Sequence, residues 1–229
     1  MITLISKALK PYKQIRYLNE YCQHSNTLTF GNDTKENKSN YFYRKLIIRK
    51  AKPMTKLKKW NEVFNKDISW KNVYFIKVKN QPEVKHAEFN FKIISDILAT
   101  NNKLHKWRKS DTSECIYCSA EHTPKHLLNE CIHVKPLWQK LHSYFRKCVT
   151  WFDIITGGAL TNNQNIVVTL LCFEVYKKFL VDRTSPELKE DILIYIKRQL
   201  KCLSIRYSYI TSLTTLVMAI NTVIEIIEE

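Results

Sequence analysis

The sequence has few of the residues that interrupt helices, since its 229 residues include only three glycines and six prolines. A β-rich fold with many tight turns needs more of both, so this scarcity favours long helices joined by short polar loops. Hydrophobic residues make up 45% of the chain and aromatic residues 12%, which is enough for a packed core. We therefore expect a folded, mostly α protein.

Signals that direct a chain into or across a membrane are also missing. Residues 1–18 contain no apolar core of adequate length and no small-residue cleavage site, both of which a signal peptide requires. The most apolar stretch, residues 210–227, is interrupted by threonine, asparagine and glutamate, which predicts a buried or partner-facing helix. We expect an intracellular protein, cytoplasmic or nuclear, that is not secreted and does not bind a membrane.

Acidic side chains are scarce relative to basic ones. The chain has 21 Asp and Glu against 37 Lys and Arg, for a formal net charge of +16. A positive field of this size attracts polyanions and favours nucleic acid as the partner, although a merely basic protein has the same composition. The densest positive segment is residues 41–60, which contain no acid. Its predicted contacts to nucleic acid are Arg44, Lys45, Arg49, Lys50, Lys56, Lys58 and Lys59.

Four potential metal ligands lie close together in the sequence. Cys115 and Cys118 form a Cys-x-x-Cys pair, and His126 and Cys131 follow. Two cysteines at this spacing can hold one ion from a single turn of backbone. A short helix that begins at Thr123 is predicted to carry His126 and to end near residue 130, because only an interrupted helix would turn Cys131 inward.

Three thiolates and one imidazole make a closed tetrahedral set, so the sequence predicts one structural Zn²⁺ ion and no catalysis at it. His122 and His133 are close enough in sequence to replace His126. The alternative to a metal site is that these residues are ordinary buried cysteines and a surface histidine. An odd number of cysteines, seven, without a secretory signal favours ligation over disulfides. The isolated cysteines are predicted to be small core residues: Cys22, Cys148, Cys172 and Cys202.

A second group of candidate nucleic-acid contacts surrounds Trp107. The cations are Lys103, Lys106, Arg108 and Lys109. An aromatic ring among cations suits single-stranded nucleic acid, because the ring stacks on a base while the charges hold phosphates. Alternatively, Trp107 packs against the Cys/His segment and the lysines are simply solvated; the sequence favours neither.

Apolar spacing predicts most of the helices. One helix is expected to present Phe91, Ile94, Ile97 and Leu98 on a single face and to end at Asn101-Asn102. Another is expected to open at Pro136, with an apolar stripe that reaches Cys148. After a break at Gly157-Gly158, helices are predicted over residues 165–181, 186–209 and 212–227. Aromatic anchors are expected at Trp60, Phe64, Trp70, Tyr74 and Phe75.

These patterns predict a mostly α fold, in which a small zinc-stabilised lobe is flanked by helices and followed by a C-terminal helical bundle. The expected organisation is a flexible leader over residues 1–40, a basic helical and zinc-binding domain over 41–150, and a C-terminal helical region over 159–229.

Residues 60–145 resemble the zinc-binding region C-terminal to the polymerase in LINE-type, non-LTR retrotransposon reverse transcriptases. The likeness rests on a helix followed, in order, by Leu104-Lys106-Trp107, Cys115-Cys118, Thr123-His126-Leu127-Cys131 and Val134-Trp138. The family often has Glu where this chain has His122. The tail after Gly158 resembles the family's C-terminus more loosely.

The resemblance implies a module that would grip template RNA or target DNA beside a polymerase. The polymerase itself is not in this sequence, because the paired aspartates that bind two metal ions are missing, and so are a nucleophile elbow and a phosphate-binding glycine-rich loop. We therefore expect no enzymatic activity, and a chain that is the tail of a truncated or degenerate element.

The resulting hypothesis is a zinc-stabilised module that binds RNA or DNA, single-stranded or structured, largely through phosphates. Two alternatives stay open: a zinc-dependent module that docks a protein partner through the C-terminal helices, and a retroelement relic without a function. A continuous basic face joining residues 44–59 with 103–109 would favour nucleic acid. Lysines scattered around an apolar groove would favour a protein partner.

Overall fold

The computed structural model describes residues 55–184 and 190–228, and these ranges are mostly helical, as the sequence predicts. They contain no strand, and only Glu114 and Glu121 form an isolated antiparallel bridge. The helices are α1 (Thr55–Phe64), α2 (Trp70–Tyr74), α3 (Val84–Ile94), α4 (Asn101–Lys106), α5 (Lys135–Lys140), α6 (His142–Phe145), α7 (Trp151–Thr156), α8 (Asn162–Thr184), α9 (Ile192–Ser208) and α10 (Thr214–Glu228). A π-helix, Phe75–Lys79, continues α2; a second π-helix is His126–Glu130; a 3-10 turn, Thr211–Leu213, precedes α10.

Helix α8 lies at the centre of the core. Leu170, Leu171 and Val175 are fully buried on it, together with polar neighbours such as Glu174 and Lys178. The helix contacts α3, both π-helices, α9 and α10. A helix surrounded on nearly all sides needs apolar residues all round, and the run from residue 166 to 172 supplies them.

Residues on both sides of the predicted boundary between 150 and 159 therefore share one core, and the described residues all belong to one compact unit. The predicted domain limits themselves stay predictions. The break at Gly157-Gly158 is confirmed, because Gly157 ends α7 with a φ of 85°, which glycine adopts without strain. A Cβ at Gly157 would lie only 2.8 Å from the Asn165 side-chain oxygen.

The predicted helix that ends at Asn101-Asn102 has the wrong boundaries. Helix α3 ends at Ile94, and Asn101 begins α4 instead of closing a helix. Tertiary hydrogen bonds account for these two boundaries. The Trp60 indole donates to the Ile94 carbonyl (2.8 Å), and the Asn101 N–H donates to the His122 ring (2.8 Å). The predicted apolar face is correspondingly wrong in part. Phe91 and Ile97 are each more than one-third exposed.

The helix predicted to open at Pro136 is interrupted at Leu141, which separates α5 from α6. Arg146 then takes a left-handed conformation, and Cys148 is exposed beyond it. The prediction that Cys148 and Cys202 are core residues is therefore wrong, because both thiols face outward, whereas Cys172 is buried as expected. Cys22 lies outside the described residues.

Among the described residues, one helical stretch, Thr211–Glu228, is long and apolar enough to cross a membrane, with a mean hydropathy of 1.3 and one-third of its residues buried. Its Leu216, Ile220 and Val223 side chains lie in the protein core, and α10 contacts α8 and α9. Length and composition alone give the same signal for a core helix. The expectation that this chain does not bind a membrane stays a prediction.

His86 on α3 is a buried histidine without hydrogen bonds to either ring nitrogen among the described residues. Its ring packs edge-on against Phe173 of α8, with ring centroids 4.9 Å apart. Burial lowers the pKa of His86 from 6.5 to about 4, with Glu83 opposing the shift and three surrounding cations adding to it. Because the histidine of the unfolded chain titrates near 6.5, its contribution to stability is intact above that pH and is lost as the pH falls toward 4.

We expect His86→Leu to flatten the pH dependence of stability below pH 6.5. The wild type should lose roughly 1.4 kcal/mol of unfolding free energy per pH unit between about 6.5 and 4 from this one group. Urea unfolding at several pH values measures the slope for both proteins. His142→Gln, at an exposed histidine, should leave the slope unchanged. Parallel curves of unfolding free energy against pH for wild type and His86→Leu would show that His86 does not cause the pH dependence.

Candidate metal centre

The first two candidate ligands, Cys115 and Cys118, lie on a tight turn. The Cys115 N–H donates to the Ala120 carbonyl (2.7 Å), and the Ser119 N–H donates to the Cys115 carbonyl (3.0 Å). Ser119 adopts a left-handed φ of 58° to close the turn. The backbone therefore curls back as the Cys-x-x-Cys spacing predicts, and both thiols face the same point.

The other two ligands, His126 and Cys131, are brought together by a π-helix. Thr123 accepts a hydrogen bond from the His126 N–H through its hydroxyl (3.1 Å), and Cys131 donates its N–H to the His126 carbonyl (2.7 Å). In a regular α-helix, residues five apart point in different directions, whereas the wider π turn places them nearly in line. The helix ends at Glu130 and Cys131 turns inward, so the predicted stop is confirmed.

The four ligand atoms all lie within 4.8 Å of one another. The Cys118 sulfur is 3.1 Å from the His126 Nε2 atom and 3.8 Å from the Cys131 sulfur. A tetrahedral site with metal–sulfur bonds of about 2.3 Å holds its sulfurs roughly 3.8 Å apart. The residues therefore fit a single coordination shell and could hold one metal ion.

The two buried thiols, Cys115 and Cys131, differ in how readily they ionise. A hydrogen bond from Cys131 lowers the pKa of Cys115 to about 4. The same hydrogen bond raises the pKa of the donor, Cys131. The pair therefore favours ionisation of Cys115 before Cys131, and a metal ion would displace the thiol protons as it binds.

The two alternative histidines are engaged elsewhere. His122 is fully buried, accepts the Asn101 N–H at Nδ1 and packs its ring on Phe179, with centroids 4.3 Å apart. His133 is exposed and places Nε2 3.1 Å from the Tyr117 carbonyl oxygen. His126 is consequently the histidine that joins the cysteines.

Tyr117, between Cys115 and Cys118, links the candidate metal centre to α8. Its hydroxyl donates to Asp182 (2.8 Å), and Asp182 also pairs with Lys178 one turn earlier on the same helix. Lys178 and Asp182 are both at most 2% exposed. Burial and the nearby carboxylate raise the pKa of Tyr117. No sequence pattern indicates this link, because its two halves are 65 residues apart.

Some of the predicted nucleic-acid contacts lie outside the described residues. These are Arg44, Lys45, Arg49, Lys50 and the side chain of Lys56. Those that are described as exposed are Lys58, Lys59, Lys106, Trp107, Arg108 and Lys109. Trp107 is 54% exposed, so it does not pack into the core of the lobe.

The described parts of the two basic segments meet at Asp96. Lys59 of α1 approaches one carboxylate oxygen (3.9 Å), and Lys103 of α4 pairs with the other oxygen and with the Asp96 carbonyl. Lys103 is only 17% exposed in this position. Its nucleic-acid contact stays a prediction, but its observed role is to hold α4 against the end of α3.

Arg183, at the end of α8, adds a cation beside Lys109 that the sequence does not predict. Its guanidinium donates to the Lys109 carbonyl (3.2 Å), which fixes the loop that follows α4. The two residues are 74 positions apart, so no local pattern links them.

Fold and site together define a mostly α-helical protein with a Cys₃His cluster that could hold a metal ion. No protein-family model matches this chain, and no curated protein or solved structure matches it either. The resemblance to reverse-transcriptase zinc-binding regions therefore stays a prediction.

Proposed function

We propose that the protein is a zinc-stabilised nucleic-acid-binding module. In this proposal one structural Zn²⁺ ion is held by Cys115, Cys118, His126 and Cys131, and a basic surface contacts RNA or DNA largely through phosphates. The module resembles the zinc-binding region of a non-LTR retrotransposon reverse transcriptase, has no polymerase core and acts inside the cell.

Zinc suits the donor set best. Thiolate and imidazole ligands in a tetrahedral arrangement are typical of structural zinc, and four protein ligands leave no position open for water. The zinc would neutralise the clustered thiolates and hold the Cys115 turn against the π-helix, so its role is to keep the lobe folded. No step of catalysis is assigned to it.

The observation that carries the nucleic-acid proposal is the meeting of Lys59 and Lys103 at Asp96. Two basic segments that are far apart in sequence thereby come together at one carboxylate, and in this proposal the contact surface extends from there to the exposed Trp107. A continuous basic face with an exposed ring is what single strands require, because phosphates bind the cations and bases stack on the ring.

Titration of a fluorescent single-stranded RNA at increasing salt tests this proposal. We expect affinity to fall steeply with salt, with a log–log slope of about 0.7 per phosphate contact. Trp107→Ala should weaken binding by about 1–3 kcal/mol at fixed salt, the usual value of one stacked base.

The matched control is Tyr209→Ala, at another exposed aromatic residue, which lies just after α9. This variant should bind RNA like the wild type. A salt-insensitive interaction, or equal effects of the two substitutions, would count against a nucleic-acid surface at Trp107.

A second candidate function, protein docking through the C-terminal helices, is favoured by one observation. Ile194, Ile205 and Met218 on α9 and α10 are each more than half exposed. Exposed apolar side chains are common singly, so their number alone does not identify a partner. A functionless relic would show neither salt-sensitive RNA binding nor specific docking.

A further inference from the structure

Two neighbouring aromatic side chains face outward where α2 meets the π-helix that continues it. Tyr74 is 49% exposed and Phe75 is 54% exposed. The sequence predicts both as anchors, together with Trp60, Phe64 and Trp70, but only these last three pack into or against the core. The exposed pair is not accounted for by the fold.

The orientation of the pair is fixed by the opposite face of the same helix. Val73 and Lys77 are buried at 4% and 1% exposure. The Lys77 carbonyl accepts a hydrogen bond from the buried Asn90 side chain of α3, and the π-helix that contains Lys77 contacts α8. Because this face is committed to the core, Tyr74 and Phe75 are held at the surface and cannot rotate inward.

Two exposed lysines flank the rings. Lys71 lies one turn before Phe75, and Lys79 lies about one turn after it, so the cations are roughly 12 Å apart along the helix axis. The segment from Trp70 to Lys79 contains no acidic residue. Neither Lys71 nor Lys79 forms an ion pair with any residue in the described ranges.

We propose that Lys71, Tyr74, Phe75 and Lys79 form a second contact surface for single-stranded nucleic acid, here called the α2 surface. It rests on the proposed function and extends it from the Trp107 region to a part of the molecule that the sequence predicts to lie in the core. The two rings stack on bases, and the two lysines hold the adjoining phosphates.

The charges favour this partner over a protein. Protein interfaces bury aromatic residues at a centre that is depleted of lysine, whereas the rings of the α2 surface are bracketed by lysines. A polyanion whose bases offer flat apolar faces matches both components at once. A protein partner would need acidic side chains on both sides of an apolar pocket to match the rings and the two cations together.

Fluorescence anisotropy with a labelled oligouridine of 25 nucleotides tests the proposal on the full-length, zinc-loaded chain. Tyr74→Ala with Phe75→Ala should weaken binding at least about tenfold, and the pair Tyr74→Phe with Phe75→Tyr should restore it, because stacking needs only a ring. Lys71→Gln with Lys79→Gln should lower the salt slope by about 1.4, or about 0.7 for each phosphate that is no longer bound.

Photo-crosslinking provides a readout that does not depend on a variant's folding. Wild-type protein bound to oligouridine that carries 4-thiouridine should yield crosslinked peptides from residues 71–79. Absence of these peptides while peptides around Trp107 crosslink would overturn the α2 surface.

The two proposals fail in different ways. If the alanine pair binds oligouridine like the wild type while Trp107→Ala weakens binding, the α2 surface is refuted and the proposed function stands. If the wild type itself does not bind oligouridine, the proposed function fails and the α2 surface fails with it.

Discussion

Cys118→Ser is expected to abolish metal binding and to unfold the lobe around the cluster. The metal content should fall from one ion per chain to nearly none, because the site would keep only three of the four protein ligands that a structural zinc site requires. The free energy of unfolding should fall by more than about 4 kcal/mol, since metal binding contributes directly to folding in such lobes. Elemental analysis and urea unfolding, with and without a chelator, measure the two effects.

The stability loss is expected to be large because the lobe belongs to the main core. Leu127 and Leu128, between two of the ligands, are fully buried, and their π-helix contacts α8. Loosening the lobe would expose these side chains and would also withdraw Tyr117 from the buried Asp182. A chelator should therefore destabilise the wild type to about the level of Cys118→Ser.

Two exposed thiols provide the matched controls. Cys148→Ser and Cys202→Ser should keep one metal ion and change the free energy of unfolding by less than about 0.5 kcal/mol. Tetrahedral absorption bands after cobalt substitution should appear in both controls and be absent from Cys118→Ser. Metal-free wild-type protein with full stability would refute the metal centre.

Asp182→Ala is expected to be the most damaging substitution outside the metal ligands. It leaves the Lys178 ammonium buried without a counter-charge and removes the acceptor of the Tyr117 hydroxyl. Breaking a buried ion pair in this way costs about 3–5 kcal/mol. Because Tyr117 lies between two ligands, metal affinity should fall as well. Urea unfolding at saturating zinc and competition with a chelating dye measure the two quantities.

Three further variants separate charge from packing. Asp182→Asn keeps an acceptor for Tyr117, so it should preserve metal affinity better than Asp182→Ala does. Lys178→Met with Asp182→Leu should recover most of the lost stability, because apolar residues can replace a buried ion pair. Glu190→Ala, which breaks a solvent-accessible pair with Arg198, should cost less than about 1 kcal/mol. A cost below about 1 kcal/mol for Asp182→Ala would show that the buried pair does not support the lobe.

The Cys₃His cluster was predictable because its four residues lie close together in the sequence. The Cys-x-x-Cys spacing brings two thiols to one turn, and the predicted helix stop near Glu130 turns Cys131 inward, as observed. The π-helix was not predictable, because no residue pattern distinguishes it from a short α-helix. The choice of His126 over His122 depended on Asn101 and Phe179, which engage the His122 ring from other elements.

Exposure was the property that the sequence predicted least well. Phe75 was expected to anchor the core and Cys148 to line it, yet both face outward, whereas Lys77 lies in the core. Helical periodicity shows which residues share a face but not which face the rest of the chain will cover. In this protein α3 and α8 cover the Lys77 face of the Phe75–Lys79 π-helix, and Phe75 is left outside as a result.

By itself the sequence determined the mostly α class, the positive charge and the four residues of the Cys₃His cluster that could hold a metal ion, because composition and short spacings act within one or two turns of the chain. Only the tertiary structure decided that Lys59 and Lys103 meet at Asp96, that Tyr117 reaches Asp182, and that Trp107, Tyr74 and Phe75 remain exposed. The two contacts join residues tens of positions apart, and the exposures depend on which helix faces the rest of the chain covers. Both follow from how the helices pack around α8.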